Sequence, residues 1–288
     1  SLLEESTRMQ FDIKTPPQHC SWQSMLDIWT AVDDIETFTG CWNFDHFYPL
    51  VGDENGTCLE SWVTLTALAA HTKRIRVGCM VQGTPYRHPT LIANMATSLD
   101  IVSNGRLNLG LGAGWHEGES HAYGIDLLPM KQRMNRFEES VQVVKAMLTQ
   151  DFTSFSGEYF QLNNARCEPK GLQPGGPPIV IGGGGEKRTL RIVAMYADHW
   201  NLPFASPEQF TAKHNILKAH CQTVGRDVNE IECSVQIALP ADQAPSESAS
   251  IAAALGEAGV NTVIFSLRNP YRVEILEPLA KALEDIAR

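Results

Sequence analysis

Residues 177–201 read PPIVIGGGGEKRTLRIVAMYADHWN. The apolar run Ile179-Val180-Ile181 fits a buried strand, and Gly182 to Gly185 end it. The amphipathic spacing over Lys187–Tyr196 predicts a helix, and Trp200–Leu202 a further strand. A strand, a crossover helix and a second strand in so short a span set the two strands parallel, with the helix over one face.

The same alternation runs outward in both directions. Strands are expected at Met9–Ile13, Gly40–Phe44, Arg74–Val81 and Arg106–Leu111, with helices at Trp22–Ile35, Leu59–His71, His88–Val102 and Gln132–Leu148. In the helix from His88, Pro89 sits in the first turn and Ser103-Asn104-Gly105 closes the C-terminus. After the quoted stretch come a helix over Pro207–Thr223, then strand, helix, strand and helix at Ile231–Leu239, Ser246–Glu257, Val260–Leu267 and Arg272–Ile286. One segment breaks the rhythm: DFTSFSGEYFQL, residues 151–162, reads as a small β-hairpin turning at Ser156-Gly157. About eight βα units in 288 residues favour a closed (β/α)8 TIM barrel with a small insertion, and a single domain over 1–288. In such a barrel the chemistry belongs to the loops after the strands' C-terminal ends.

Composition narrows the partners. The formal charge is −10 with no basic cluster, which argues against nucleic acid. No apolar run approaches the roughly 18 residues of a membrane span. Seven scattered cysteines without a CxxC pair read as reduced thiols, and SLLEESTRMQ is acidic where a signal peptide is basic. A cytoplasmic protein acting on a small molecule, with neither membrane nor nucleic-acid partner, is the expectation.

The strand-end loops carry the candidates. FDHFYPL (44–50) offers Asp45 and His46, either as an acid–base pair or as a turn cap and a packed ring. GLGAGWHEGESHAYGI (110–125) alternates Gly110, Gly112 and Gly114, which would leave one strand face bare and open to a flat ligand. No helix follows at once, so this is no dinucleotide fingerprint; His116 and His121 stand five apart around Gly118, so no zinc helix is expected. Gly182–Gly185 lack the GK[ST] of a P-loop, but backbone N–H groups leading into a helix make an anion site, most often for phosphate. Four glycines exceed what a tight packing turn needs.

With these motifs in order, the chain resembles the luciferase-like monooxygenase superfamily, and within it the oxidoreductases that use the deazaflavin coenzyme F420. FDHFYPL, VGCMVQGTPYRHPTLIANMATSLDIVSNGRLNLGLGAGWHEGE and IVIGGGGEKRTLRIVAMYADHWN carry the resemblance, which runs from about residue 9 to the end. It implies a bacterial luciferase-like barrel with an insertion partly covering the active site, in which residues 151–162 would take part. It implies a strand-3 bulge with a non-proline cis peptide, here matching Cys79-Met80, bracing the ring together with Val81 and Gly112. It places the cofactor phosphate on Ile181 and Gly182–Gly185 with Lys187 or Arg188, and the proton step on His46 oriented by Asp45, which also borders the ring. His19, Trp115 and His116 would wall the substrate. The sugar-phosphate dehydrogenases of this branch carry a glutamate where this chain has Trp115 and a tryptophan where it has Leu50, so glucose 6-phosphate is not expected as substrate. The implied activity is hydride transfer between F420 and a small organic molecule by a homodimer. The alternative on the same barrel is an FMN-dependent two-component monooxygenase, which would need a reductase partner. A non-catalytic cofactor carrier is a further reading. A barrel aldolase would want a Schiff-base lysine at a strand end, and none of the strand-end loops places one clearly; Lys187 and Lys170 are the nearest.

Overall fold

The computed structural model describes residues 9–286; the acidic N-terminal segment 1–8 lies outside the described residues. Eight parallel strands close a ring. In chain order the elements begin with β1 (Gln10–Lys14), α1 (Trp22–Asp34), β2 (Phe38–Asn43), α2 (Ser61–His71), β3 (Arg76–Cys79), the two-residue β4 (Gln82–Gly83), α3 (Pro89–Val102) and β5 (Leu107–Gly112). Then come α4 (Glu117–Ala122), α5 (Met130–Thr149), β6 (Thr153–Ser156), β7 (Gln161–Ala165), β8 (Ile179–Gly182), α6 (Thr189–Tyr196) and β9 (His199–Pro203). The chain finishes with α7 (Pro207–Val224), β10 (Glu232–Leu239), α8 (Pro245–Glu257), β11 (Thr262–Leu267) and α9 (Leu276–Leu283). Around the barrel the order is β1, β2, β3, β5, β8, β9, β10, β11 and back to β1. The expected (β/α)8 barrel is the fold.

Strand alternation divides the core in two. Phe11, Val77, Leu109, Ile181, Val235 and Val263 face outward onto the helices and belong to the large apolar layer. A separate inner cluster, Trp42, Met80, Val180 and Ile264 with Val81 against it, fills the middle of the barrel. Trp42 needs room: a Cβ on Gly78 would lie 2.4 Å from its ring. The helices start and stop where local chemistry requires. The His88 side chain caps α3, Ser206 and Gln209 form a capping box on α7, and Gly225 at φ +73° closes it.

The hairpin β6–β7 is antiparallel and reaches Ala165, three residues beyond the expected end. Its tip is tied to α5, where the Glu139 carboxylate accepts from the N–H groups of Glu158, Tyr159 and Phe160 at 2.7–3.2 Å. None of its residues lines the cavity at the barrel mouth. Among the described residues no helix is long and apolar enough to cross a membrane.

Candidate active site at the barrel mouth

His46 follows β2 and presents an imidazole that is 11 % exposed. Its Nδ1 lies 2.6 Å from Glu119 Oε1. The carboxylate's other oxygen accepts from the Phe47 N–H at 2.9 Å, and the Tyr86 hydroxyl donates to Oε1. Glu119 is fully buried, and α4 holds it there, with His116 Nδ1 accepting from the Glu119 N–H at 3.1 Å as the helix cap. Burial alone would raise the Glu119 carboxyl. The hydrogen bonds from His46 and Tyr86, with the charge of His46 and the Phe47 N–H, outweigh it and bring the carboxyl below its ordinary value. A carboxylate on Nδ1 fixes that nitrogen as the donor, leaving Nε2 free for proton exchange. The rings of Phe44 and Trp115 stand 4.9 and 5.5 Å from that of His46.

Asp45 does not orient His46. Successive residues at a strand end point to opposite sides, and Asp45 turns the other way. Its Oδ2 accepts from Arg87 Nη1 at 2.7 Å and from the Gly83 N–H at 3.0 Å. Arg87 Nη2 reaches both Asp45 Oδ1 and, at 2.7 Å, Glu60 Oε1. Burial raises the Asp45 carboxyl, opposed by the two-pronged guanidinium. Glu119 and Arg87, the working partners of the motif, lie too far along the chain for spacing to reveal.

The strand-3 bulge is present one residue later than expected: the cis peptide is Met80–Val81, not Cys79-Met80. Ladder bonding explains the offset, because the Met80 N–H still donates to Asn43 O at 2.9 Å, so the strand stays regular through Cys79. The Cys79 side chain accordingly packs outward, 3.4 Å from Ser61 Oγ, as Ile181 does in the helix-facing layer; neither side chain enters the mouth. Met80 and Val81 point inward. Val81 also occupies the bare glycine wall. A Cβ on Gly112 would lie 2.6 Å from Val81 Cγ2 and one on Gly182 3.1 Å from Val81 Cγ1, while one on Gly110 would lie 1.9 Å from the Cys79 carbonyl oxygen. The alternating glycines receive the chain's own bulge, not a ligand lying directly on them.

The four glycines after β8 also have individual packing reasons. Gly183 sits at φ +121°, and Cβ atoms on Gly184 and Gly185 would lie 2.9 Å from Leu202 Cδ1 and 2.7 Å from Thr189 Oγ1. The helix begins at Thr189, two residues later than expected. What this leaves is a small cradle: the Gly184 and Gly185 N–H groups meet no acceptor among the described residues. Arg188 Nε is buried without a partner among the described residues, while its Nη2 turns to α5, bonding Asn135 Oδ1 at 2.8 Å and approaching Glu138 Oε2 at 3.5 Å. Lys187 is exposed. Lys213, unforeseen from sequence, runs past Gly184 to Glu186 Oε1 at 2.8 Å. The free N–H groups of Gly184 and Gly185, with the exposed Lys187 following them in the chain, fit a phosphate.

A cavity of about 560 Å³ opens beside β1, β2 and β11. His19 lines it, held by Nε2 at 3.0 Å from Val51 O. His46 borders this cavity only through Phe44, which lies in its wall 4.9 Å from the imidazole; Trp115, 61 % exposed, and His116 flank His46 outside it. A larger cavity, about 1200 Å³, lies at the opposite end around Asp12, Arg76, His199 and Glu232, with Met9 and Ile286 in its wall. It is remote from the strand ends that carry the chemistry.

Comparison with known proteins bears on this geometry. The description "Luciferase-like monooxygenase" matches residues 9–278. The chain is 28 % identical over 209 residues to an F420-dependent glucose-6-phosphate dehydrogenase of Amycolatopsis mediterranei, covering 70 % of this chain and 60 % of that protein. It is 32 % identical over 143 residues to pyrimidine monooxygenase RutA of Allorhizobium ampelinum, covering 49 % of this chain and 38 % of the other. The chain therefore spans less than two thirds of the length of these curated relatives. An F420-dependent secondary alcohol dehydrogenase solved with an F420–acetone adduct has the same fold, with a TM-score of 0.87 and 18 % identity over 98 % of this chain and 99 % of that one. The tetrahydromethanopterin reductase of Methanopyrus kandleri gives a TM-score of 0.75 at 17 % identity, over 98 % of each chain. On the match from residue 9 to 278, this chain belongs to the luciferase-like monooxygenase family.

Proposed function

We propose that the chain is a coenzyme F420-dependent oxidoreductase moving a hydride to or from a small organic substrate. The observation that carries this is the meeting, at one barrel mouth, of an anion cradle at Gly184–Arg188 with a histidine whose Nε2 is free and whose Nδ1 is fixed by a buried carboxylate. The F420-dependent relative, aligned over 70 % of the chain, supports the choice of cofactor. When bound, the deazaflavin supplies the hydride acceptor or donor. The chain's residues do the rest. The Gly184 and Gly185 N–H groups with Arg188 and Lys187 would hold the phosphate, and Met80 and Val81 would form the wall beneath the ring. When hydride leaves an alcohol carbon, its hydroxyl proton passes to His46 Nε2 and the positive charge is balanced by Glu119; the reverse direction returns that proton to the carbonyl oxygen.

Titration of the apoprotein with F420 and with FMN tests the reading. Tight F420 binding with weak FMN binding is expected; the opposite order would favour the flavin monooxygenase alternative. Gly184→Val, with its side chain driven toward Leu202 and Lys213, should weaken F420 binding at least about tenfold while circular dichroism remains that of a folded barrel.

A further inference from the structure

β1 ends in Lys14, whose side chain enters the barrel and is only 7 % exposed. Its Nζ donates to Met80 O at 3.0 Å and to Gln236 Oε1 at 2.6 Å. Both partners are neutral oxygens, so among the described residues the ammonium lies buried against dipoles without a counter-charge of its own, a costly arrangement unless something else compensates. Its orientation is dictated from behind. Gln236 Nε2 donates to Asn201 Oδ1 at 2.7 Å, and Asn201 Nδ2 donates to Ser234 Oγ at 2.8 Å, which stands 2.6 Å from His199 Nε2. With its amide nitrogen committed, Gln236 has only its oxygen left for Lys14. Two of the three ammonium donors are thereby placed, and the third is left for the 560 Å³ cavity that Lys14 lines. Pro16, Phe44, Leu50, Val51, Phe204 and Leu267 give the cavity apolar walls, while Gln18, His19, Ser266 and Asn269 add polar groups and Asp53 an exposed carboxylate near its rim.

We propose that Lys14 is the anion-binding group of the reaction chamber, and that the substrate is a compact, largely apolar molecule bearing a carboxylate that Lys14 receives. The inference rests on taking this mouth as the reaction chamber and adds the substrate class to that reading. A carboxylate would supply the missing counter-charge, and a cavity of this size is in the range of small-molecule sites. Arg268, exposed at the rim of the same cavity, is the competing cation.

The test is calorimetric titration of the full-length apoprotein with benzoate and its uncharged isostere benzamide. Wild type should bind benzoate at least about tenfold more tightly, which is about 1.4 kcal/mol. Lys14→Met should lose that preference and Arg268→Ala should keep it. Should Lys14→Met not fold, Lys14→Gln, which retains a donor toward Met80 without the charge, gives the same reading. Equal binding of the two probes by wild type, a preference surviving in a folded Lys14 variant, or a preference lost on Arg268→Ala alone would each overturn the assignment. F420 binding is followed separately by absorbance on the same proteins: its absence from wild type counts against the proposed cofactor, whereas the benzoate result decides the role of Lys14.

Discussion

Glu119 is the residue on which the proposed proton step turns, because it touches His46, Tyr86 and the Phe47 N–H at once. Burial first, then Glu119 itself, push the Tyr86 phenol well up, so Tyr86 stays a donor throughout the ordinary pH range. Glu119→Gln keeps the shape and removes the charge. We expect kcat to fall about 10- to 100-fold with F420 affinity little changed, since an orienting and charge-balancing partner of a general base is lost. The same variant predicts a pH effect. The folded-state carboxyl lies below its ordinary value of 4.5, so its contribution is present above about 4.5 and is lost as pH falls through the folded value. In urea titrations the stability gap between wild type and Glu119→Gln should narrow as pH drops below that range; a constant gap would show that Glu119 is not the linked group. Asp45→Asn makes the contrast. It leaves Arg87 without its buried charge partner and should cost about 3 kcal/mol of stability, while the pH profile of kcat keeps its shape.

At the scale of elements, the bulge between β3 and β4 and the glycines of β5 and β8 are one packing unit. Val81 fills the space left by Gly112 and Gly182, and the Cys79 carbonyl presses on Gly110. Gly110→Ala should therefore cost well over about 2 kcal/mol, because its new methyl meets immovable backbone. Gly184→Ala meets the far end of the Leu202 side chain, which can swing aside, and should cost under about 1 kcal/mol. Guanidinium unfolding of the two variants checks the order. Much of this level was legible from sequence. Every barrel strand and every long helix follows its periodicity to within a few residues, because each has one face that must be buried. Spacing shows that the Gly110–Gly112–Gly114 face is bare, not that Val81 and the Cys79 carbonyl press against Gly112 and Gly110. The short α4 was read as loop, since Gly118 breaks the helical pattern and six residues give too few turns to show one. The Glu119–His46 and Arg87–Asp45 pairings join residues 73 and 42 apart, which only the closed barrel brings together. The strand-end loops place no lysine clearly, yet β1 itself ends in the buried Lys14: Phe11 and Ile13 mark β1 as a strand, and the same alternation turns Asp12 and Lys14 inward.

For the molecule as a whole, the barrel interior is the unusual feature. Its middle is apolar around Trp42, Met80, Val180 and Ile264, but both ends are polar, with Asp12, His199 and Ser234 toward one and Lys14, Asn201 and Gln236 toward the other. Placing a lysine there has a consequence for global stability. Burial lowers the Lys14 ammonium from 10.5 to about 8. Unfolded chains therefore hold a proton between about 8 and 10.5 that the native protein has released, and stability must rise with pH across that window. Below about 8 both states are charged and the native protein bears the full cost of the buried ammonium; above about 10.5 both are neutral and the cost is gone. The interval corresponds to about 3 kcal/mol. Other groups titrate in this range, so the measurement is a difference: unfolding free energies of the apoprotein and of Lys14→Met in urea at pH 7.5, 9 and 10.5. Wild type should gain on the variant by about 3 kcal/mol over that span. A saturating carboxylate in the chamber should flatten the gain by holding Lys14 charged. A parallel pair of curves without ligand would mean that Lys14 keeps an ordinary proton affinity and that its polar cage already compensates its charge in full.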